Sequence, residues 1–147
     1  MYYEEIELGQ RFYCEPILIT AEDIEGFAAK YDPLPIHINQ ELANNSMFEG
    51  IIASGFHTLS AIWGQWIRLD TFGNEVIVGL GLDYVKWPAP VRANDLLTTE
   101  VEVVGLKPSS KQDRGKITLR LSVTNQRGEV ALETQTNALI KRKLVTK

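Results

Sequence analysis

The second half of the chain alternates apolar and polar residues with a period of two, as β-strands with one buried face do. The polar segments Lys107–Gly115 and Asn125–Gly128 interrupt this alternation, and we expect a surface loop at the first and a hairpin turn at the second. The pattern therefore predicts four consecutive strands. They cover residues 76–87, 96–106, 117–124 and 130–138.

The beginning of the chain has a shorter strand followed by a helix. Arg11–Ile19 is predicted as a strand that Pro16 interrupts, which favours an edge or bulged position. Thr20 is suited to cap a helix, and Asp23 follows in its first turn. This helix should end near Tyr31. The residues predicted to face inward are Phe12, Cys14, Ile17 and Ile19 on the strand and Ile24, Phe27, Ala28 and Tyr31 on the helix.

A long apolar segment, Gly50–Phe72, is predicted as a central helix. Its large apolar residues recur at spacings of three and four, which indicates a buried stripe. The element order is thus strand, helix, loop, long helix and four strands, an α+β layout with an antiparallel sheet around one helix. The uncovered side of such a sheet favours a homodimer. The stripe consists of Phe56, Leu59, Trp63 and Trp66 or Ile67.

Between the two helices, residues 32–39 hold two prolines and are expected to form a stiff, irregular loop, followed by a short helix over Gln40–Asn44 that Asn39 caps. Asp32 and His37 lie on this loop. A carboxylate and an imidazole close together can hold a water molecule and move its proton, which is what addition of water to a double bond requires. The spacing alone is weak evidence for this role, because an aspartate before proline is usually a turn residue and a lone histidine is usually structural.

Ser54 and Gly55 lie near the start of the long helix, where backbone N–H groups are free and the helix dipole is positive. Because glycine lets a ligand approach the backbone, the Gly55 amide is a candidate to polarise a carbonyl group. The alternative is a glycine needed only for close packing. His57 follows. We expect its side chain to face the helix and to hydrogen-bond to the backbone instead of facing the site.

The overall composition excludes some classes of function but does not identify one. The 147 residues suit one domain, and a net charge of −4 argues against a general nucleic-acid-binding protein. The single cysteine, Cys14, is typical of a reducing compartment. With no N-terminal targeting pattern and no long apolar run, a cytoplasmic protein is expected. Two histidines and one cysteine without ligand-like spacing favour no metal site.

Three stretches of the chain have a distinctive pattern: Asp32-Pro33-Leu34-Pro35-Ile36-His37, Ile51-Ile52-Ala53-Ser54-Gly55-Phe56-His57-Thr58 and Trp87-Pro88-Ala89-Pro90-Val91-Arg92-Ala93-Asn94-Asp95. Together they resemble the MaoC-like dehydratase family, which includes the (R)-specific enoyl-CoA hydratases and has the hot-dog fold. The opening residues 3–10 are similar to the usual N-terminus of that family. The resemblance implies a single hot-dog domain over residues 1–147.

The resemblance also implies roles for individual residues. Asp32 and His37 match the catalytic dyad that holds water and transfers protons, and Ser54 and Gly55 match the substrate-binding step, where the Gly55 amide binds the thioester oxygen. The implied reaction is reversible hydration of a trans-2-enoyl thioester to a 3-hydroxyacyl thioester. Coenzyme A enters as part of the substrate, with no further cofactor, and the implied assembly is a homodimer or a higher even oligomer.

Two positions depart from the family pattern. Leu34 replaces an asparagine that helps to order the site in the better-known hydratases, and Asn94 replaces a glycine at a turn. Two alternatives therefore stay open. One is a non-catalytic acyl-thioester-binding protein. The other is a hot-dog thioesterase, whose carboxylate would commonly lie on the long helix, where Gln65 and Asp70 are the candidates.

Overall fold

A computed structural model describes residues 1–144 of the chain. The strands are β1 (Arg11–Tyr13), β2 (Ile17–Leu18), β3 (Val76–Lys86), β4 (Leu96–Pro108), β5 (Arg114–Thr124) and β6 (Val130–Lys141). They pair in the order β1-β4-β5-β6-β3, with β2 also pairing with β4, and every one of these pairings is antiparallel. The helices are α1 (Ala21–Tyr31), α2 (Pro35–Ile38), α3 (Gln40–Asn44) and α4 (Gly55–Arg68).

The four predicted strands of the second half are confirmed, with longer bounds for three of them. Alternate residues of β5 are buried along its whole length, because β5 lies between β4 and β6 in the middle of the sheet. Continuation of β4 and an early start of β5 shorten the predicted loop to residues 109–113. The turn at Asn125–Gly128 is also confirmed, since Gly128 N–H donates to the Asn125 carbonyl. The predicted basic tail, residues 141–147, extends beyond the described residues.

Helix α4 is shorter than the predicted helix over residues 50–72. The segment before it is extended, because Ile52 N–H donates to the Ile36 carbonyl and Ala53 N–H to the Val91 carbonyl. Ser54 then caps the helix, and after Arg68 the chain turns through Asp70, whose φ of 55° is left-handed. Among residues 1–144, no helix is both long and apolar enough to cross a membrane.

The predicted stripe of α4 is also displaced around the helix axis. Phe56 and Ile67 are largely exposed, whereas Ile62 and Trp66 are buried against the sheet. The stripe is confirmed at Trp66 and in part at Leu59 and Trp63, which pack half-buried against the core, and it was wrong at Phe56. Residues on either side of an apolar face have nearly the same spacing, and only the packed sheet selects between them. The buried residues of α4 are His57, Thr58, Ile62 and Trp66.

The first predicted strand divides into β1 and β2 around Glu15 and Pro16. Cys14 and Ile19 are buried as predicted, whereas Phe12 and Ile17 are only partly buried. Helix α1 follows with the predicted bounds.

Candidate active site

The segment from Asp32 to Asn39 connects α1 to α3 and contains more regular structure than predicted. Thr20 caps α1 by accepting from Asp23 N–H, and the helix ends at Tyr31, so that Asp32 is the first residue beyond it. Pro35 then begins α2, a single helical turn that holds His37. The irregular loop was wrong here, because proline is tolerated in the first turn of a helix, where its missing N–H is not needed.

The His37 ring is held at both nitrogen atoms. Its Nδ1 lies 2.6 Å from the Ile52 carbonyl oxygen, and its Nε2 lies 3.5 Å from Oδ2 of Asp32. A carbonyl oxygen can only accept, so Nδ1 carries the proton that it donates to Ile52. In the neutral ring Nε2 is then an acceptor, so its 3.5 Å separation from the carboxylate is not a direct hydrogen bond. The His37 side chain is buried, and that of Asp32 stays partly open to solvent.

Ser54 is fully buried and hydrogen-bonded on both sides. Its hydroxyl donates to Oδ2 of Asp32 at 2.7 Å and accepts from the Phe56 N–H at 3.2 Å. The hydroxyl therefore caps α4 and fixes the Asp32 carboxylate relative to that helix. As a result, α1, α2 and α4 all meet at one oxygen atom of Asp32.

Gly55 is the first residue of α4, so its N–H has no acceptor within the helix. The indole of Trp87 packs directly on its Cα and donates from Nε1 to the Gly55 carbonyl at 3.0 Å. A side-chain carbon at position 55 would lie inside van der Waals contact of that indole. Glycine is thus required here for close packing of Trp87, while the amide remains available as a donor.

His37 and Gly55 line the same cavity, which has a volume of about 280 Å³. Trp87, Thr58 and Ala131 form part of its wall. Asp32 is not among the lining residues and meets the site through Nε2 of His37. His37 also lines a second cavity of about 340 Å³. The predicted groups are thus brought together, with the imidazole between two spaces that a ligand can enter.

Sequence reasoning missed two groups of this site. The Ile52 carbonyl sets the proton position on His37, and Trp87 covers Gly55. No side-chain pattern signals the first, because any residue supplies a carbonyl. The second had a signal, since Trp87 opens the third stretch that resembles the family pattern, although no role was assigned to it there.

His57 lies outside this site. It is 8% exposed and its ring stacks on Phe27 of α1, with centroids 5.0 Å apart. Its Nδ1 has no hydrogen-bond partner among the described residues, so the expected backbone hydrogen bond at this atom is not formed. Burial lowers the pKa of His57, and the charge of Asp23 acts weakly in the opposite direction. Within residues 1–144, no three His, Cys, Asp or Glu side chains cluster in a way that would hold a metal ion.

Comparison with known proteins identifies the family of this chain. A model described as "MaoC like domain" matches residues 5–126. The chain is 34% identical to the uncharacterized protein YdeM of Bacillus subtilis, over 97% of the chain and all of that protein. It is 32% identical to an (R)-specific enoyl-CoA hydratase of Rhodospirillum rubrum, over 95% of the chain and 91% of the enzyme.

Solved structures show the same architecture. The crystal structure of the MaoC-like dehydratase from Rhodospirillum rubrum matches with a TM-score of 0.87 and 32% identity, covering 99% of both chains. A Mycobacterium tuberculosis protein with a double hot-dog fold matches at a TM-score of 0.84 and 19% identity, with all of this chain covering 46% of that one. The fold is thus the hot-dog fold, and the chain belongs to the MaoC-like hydratase and dehydratase family.

Proposed function

We propose that this protein catalyses the reversible hydration of a trans-2-enoyl thioester, such as an enoyl-CoA, to a 3-hydroxyacyl thioester. The observation that carries the proposal is the contact between Nε2 of His37 and Oδ2 of Asp32, with Nδ1 of His37 already bound to Ile52. The similarity to hydratases supports the same reaction class.

The dyad can orient a water molecule that donates one hydrogen bond to each of the two residues. Neutral His37 offers a lone pair at Nε2, and the Asp32 carboxylate offers another, so that one water can donate an O–H to each. As the water oxygen adds to C3 of the enoyl group, the dyad takes one proton and returns a proton to C2. The net change is addition of H and OH across the double bond, and the dyad ends in its starting protonation state.

Addition at C3 places negative charge on the thioester oxygen, and the Gly55 amide is the group proposed to receive it. This N–H has no helical acceptor, and the positive end of the α4 dipole favours a developing anion at the same place. A fixed donor of this kind acts strongly because it needs no reorganisation during the reaction. Ser54 has a different part, since its hydroxyl already donates to Asp32 and so positions the carboxylate.

The two thioesterase candidates of the predicted long helix line neither of the His37 cavities. Gln65 donates from its side chain to the Glu15 carbonyl at 2.7 Å, and Asp70 lies beyond the end of α4 in an exposed turn. Hydration therefore fits the arrangement better than hydrolysis. Release of free thiol from the same substrate would reveal the thioesterase instead.

The assembly proposed is a homodimer formed through β3. This strand is at the edge of the sheet, and its apolar residues are exposed, for example Leu80 at 52% and Leu82 at 45%. An open groove of about 320 Å³ between α4 and β3 has Trp63 and Leu59 in its wall. A free antiparallel edge can pair with its own copy about a twofold axis, which would cover these residues.

The test is to follow loss of enoyl absorbance on adding the protein to crotonyl-CoA. We expect activity in the wild type and a loss of about 10²-fold or more in Asp32→Asn and in His37→Ala. Thr20→Ala, which removes the side-chain cap at the start of α1 without touching the dyad, is the control. Unchanged hydration in both dyad variants would show that the dyad is wrongly assigned.

A further inference from the structure

The second cavity beside His37 contains a guanidinium group without a carboxylate partner. This cavity of about 340 Å³ is lined by Arg92 and His37, with Glu25 and Gln40 also in its wall. The Arg92 side chain makes one hydrogen bond, from Nη2 to the Phe48 carbonyl at 2.5 Å. Within residues 1–144 no carboxylate lies within ion-pair distance of it.

Partial burial together with the lack of a carboxylate partner distinguishes Arg92 from the other arginines among residues 1–144. Arg11 and Arg120, for example, pair with glutamates on the outer face of the sheet, and Arg68 is exposed to water. Arg92 is partly buried, and a charge removed from water is normally paired, because its lost hydration must be replaced.

The nearby carboxylates do not provide that pairing. Asp95, three residues along the chain, accepts from the Arg92 backbone N–H and from Gln126, and it forms an ion pair with Arg127 at 3.5 Å. Glu25 lines the cavity but is exposed and lies beyond ion-pair distance. The remaining guanidinium N–H groups are therefore available to an anion that enters the cavity.

We propose that Arg92 binds a carboxylate at the far end of a short acyl chain, so that the preferred substrate is an enoyl thioester that carries a second acid group. This inference rests on the proposed hydration at His37. A guanidinium forms paired, charge-assisted hydrogen bonds to a carboxylate, and the shared cavity places such a group near the reacting carbons.

The phosphates of coenzyme A are the other source of negative charge on such a substrate, but their distance argues against them. About 14 bonds separate the thioester sulfur from the pyrophosphate, which is about 16 Å when extended at 3.3–3.6 Å for each three backbone-like bonds. A sphere with the cavity volume of about 340 Å³ is only about 9 Å across, which is well short of that length. An anion bound within the cavity that also contains His37 is therefore on the acyl side.

The test compares two substrates that differ only in the acid group, crotonyl-CoA and glutaconyl-CoA, and the N-acetylcysteamine thioesters of the same acids, which have no phosphate. We expect wild-type kcat/KM to be about tenfold to a hundredfold higher with the glutaconyl thioester, whichever thiol carries it. In Arg92→Gln this preference disappears, while the crotonyl rate changes by less than about threefold. Arg92→Lys should restore part of the preference.

Glu25→Gln is the matched variant of opposite charge. Removing this carboxylate from the cavity wall should increase the preference for the glutaconyl thioester by about twofold to threefold, because one source of repulsion is lost. Melting temperatures of all three variants verify that Arg92 is not needed merely to hold the Phe48 loop.

Three results would overturn the proposal. Equal wild-type rates with both acids mean that no acid group is recognised. An equal loss on every substrate in Arg92→Gln means that Arg92 only anchors Phe48. A loss confined to the coenzyme A thioesters assigns Arg92 to a phosphate. Hydration of neither acid by the wild type would instead remove the proposed function, and this inference with it.

Discussion

The two histidines of this chain are both buried, yet their surroundings differ in kind. His37 has a carbonyl at one ring nitrogen and a carboxylate near the other, supplied by Ile52 and Asp32. His57, on α4, stacks on Phe27 and has no hydrogen-bond partner at Nδ1 among the described residues. One ring is oriented by polar partners, whereas the other is held by packing.

This difference teaches that burial by itself does not identify a catalytic histidine. A proton-transferring imidazole needs a defined tautomer and an accessible lone pair, and both come from fixed partners. A ring buried without partners instead favours its neutral form and adds an acid-sensitive element to the packing. The following predictions test this distinction, beginning with the largest effect.

Replacing each histidine by glutamine compares the two surroundings directly. We expect His37→Gln to lower the rate of crotonyl-CoA hydration by about 10²- to 10⁴-fold, because general acid–base catalysis is lost. His57→Gln should stay within about threefold of wild type. Initial rates at one pH, with circular dichroism to verify folding, provide the measurement. A larger loss in His57→Gln would reverse the assignment.

Gly55→Ala tests the packing on which the His37 cavity depends. The new methyl group would enter the space of the Trp87 indole, and such overpacking typically costs about 1–3 kcal/mol of unfolding free energy. Urea denaturation measures the loss. In the double variant with Trp87→Ala, the two effects should not add, because removing the indole makes room for the methyl group. Additive losses would mean that the indole is not the limiting contact.

Ser54→Ala removes the hydrogen bond to Asp32 together with the cap of α4. We expect hydration to fall about tenfold and stability to fall by about 1 kcal/mol. Thr20→Ala is the matched control, since it removes the cap of α1 at similar cost without touching the dyad. Equal activity of the two variants would show that Ser54 acts on stability alone.

The smallest effect concerns pH and His57. Because its folded-state pKa lies below the ordinary value of 6.5, the unfolded chain binds more protons there, and stability should fall as pH drops below about 6.5 through the folded pKa. His57→Phe keeps a ring on Phe27 but cannot titrate. Its stability relative to wild type should therefore increase on acidification, measured by urea denaturation between pH 7.5 and about pH 5. A constant difference would contradict this.

Some local features could be predicted correctly from the sequence, and others could not. The caps at Thr20 and Asn39 are confirmed because each acts on an amide a few residues away. The start of α4 was placed five residues too early, since the apolar run from Gly50 does not reveal that its first part pairs with residues distant in the chain.

Strand β3 shows a similar limit of prediction from the sequence, here for burial and not for the bounds of an element. It alternates as β5 does, yet every residue of β5 that faces inward is buried, while most of β3 is exposed. Alternation reports the pleat of a strand, whereas burial depends on the neighbours at each side. Its place at the edge of the sheet could not be read from its own residues.

By itself, the sequence determined the sheet, the helix caps and the candidate pair Asp32 and His37, because these depend on periodicity and on groups close together in the chain. Tertiary structure decided which ring nitrogen of His37 carries the proton, through the Ile52 carbonyl 15 residues away. It also decided how the Asp32 carboxylate is oriented, through Ser54, which lies 22 residues away. It also separated the two histidines. The physical reason is that a tautomer, a carboxylate orientation and the free donors of Arg92 depend on neighbours that only chain folding brings into contact.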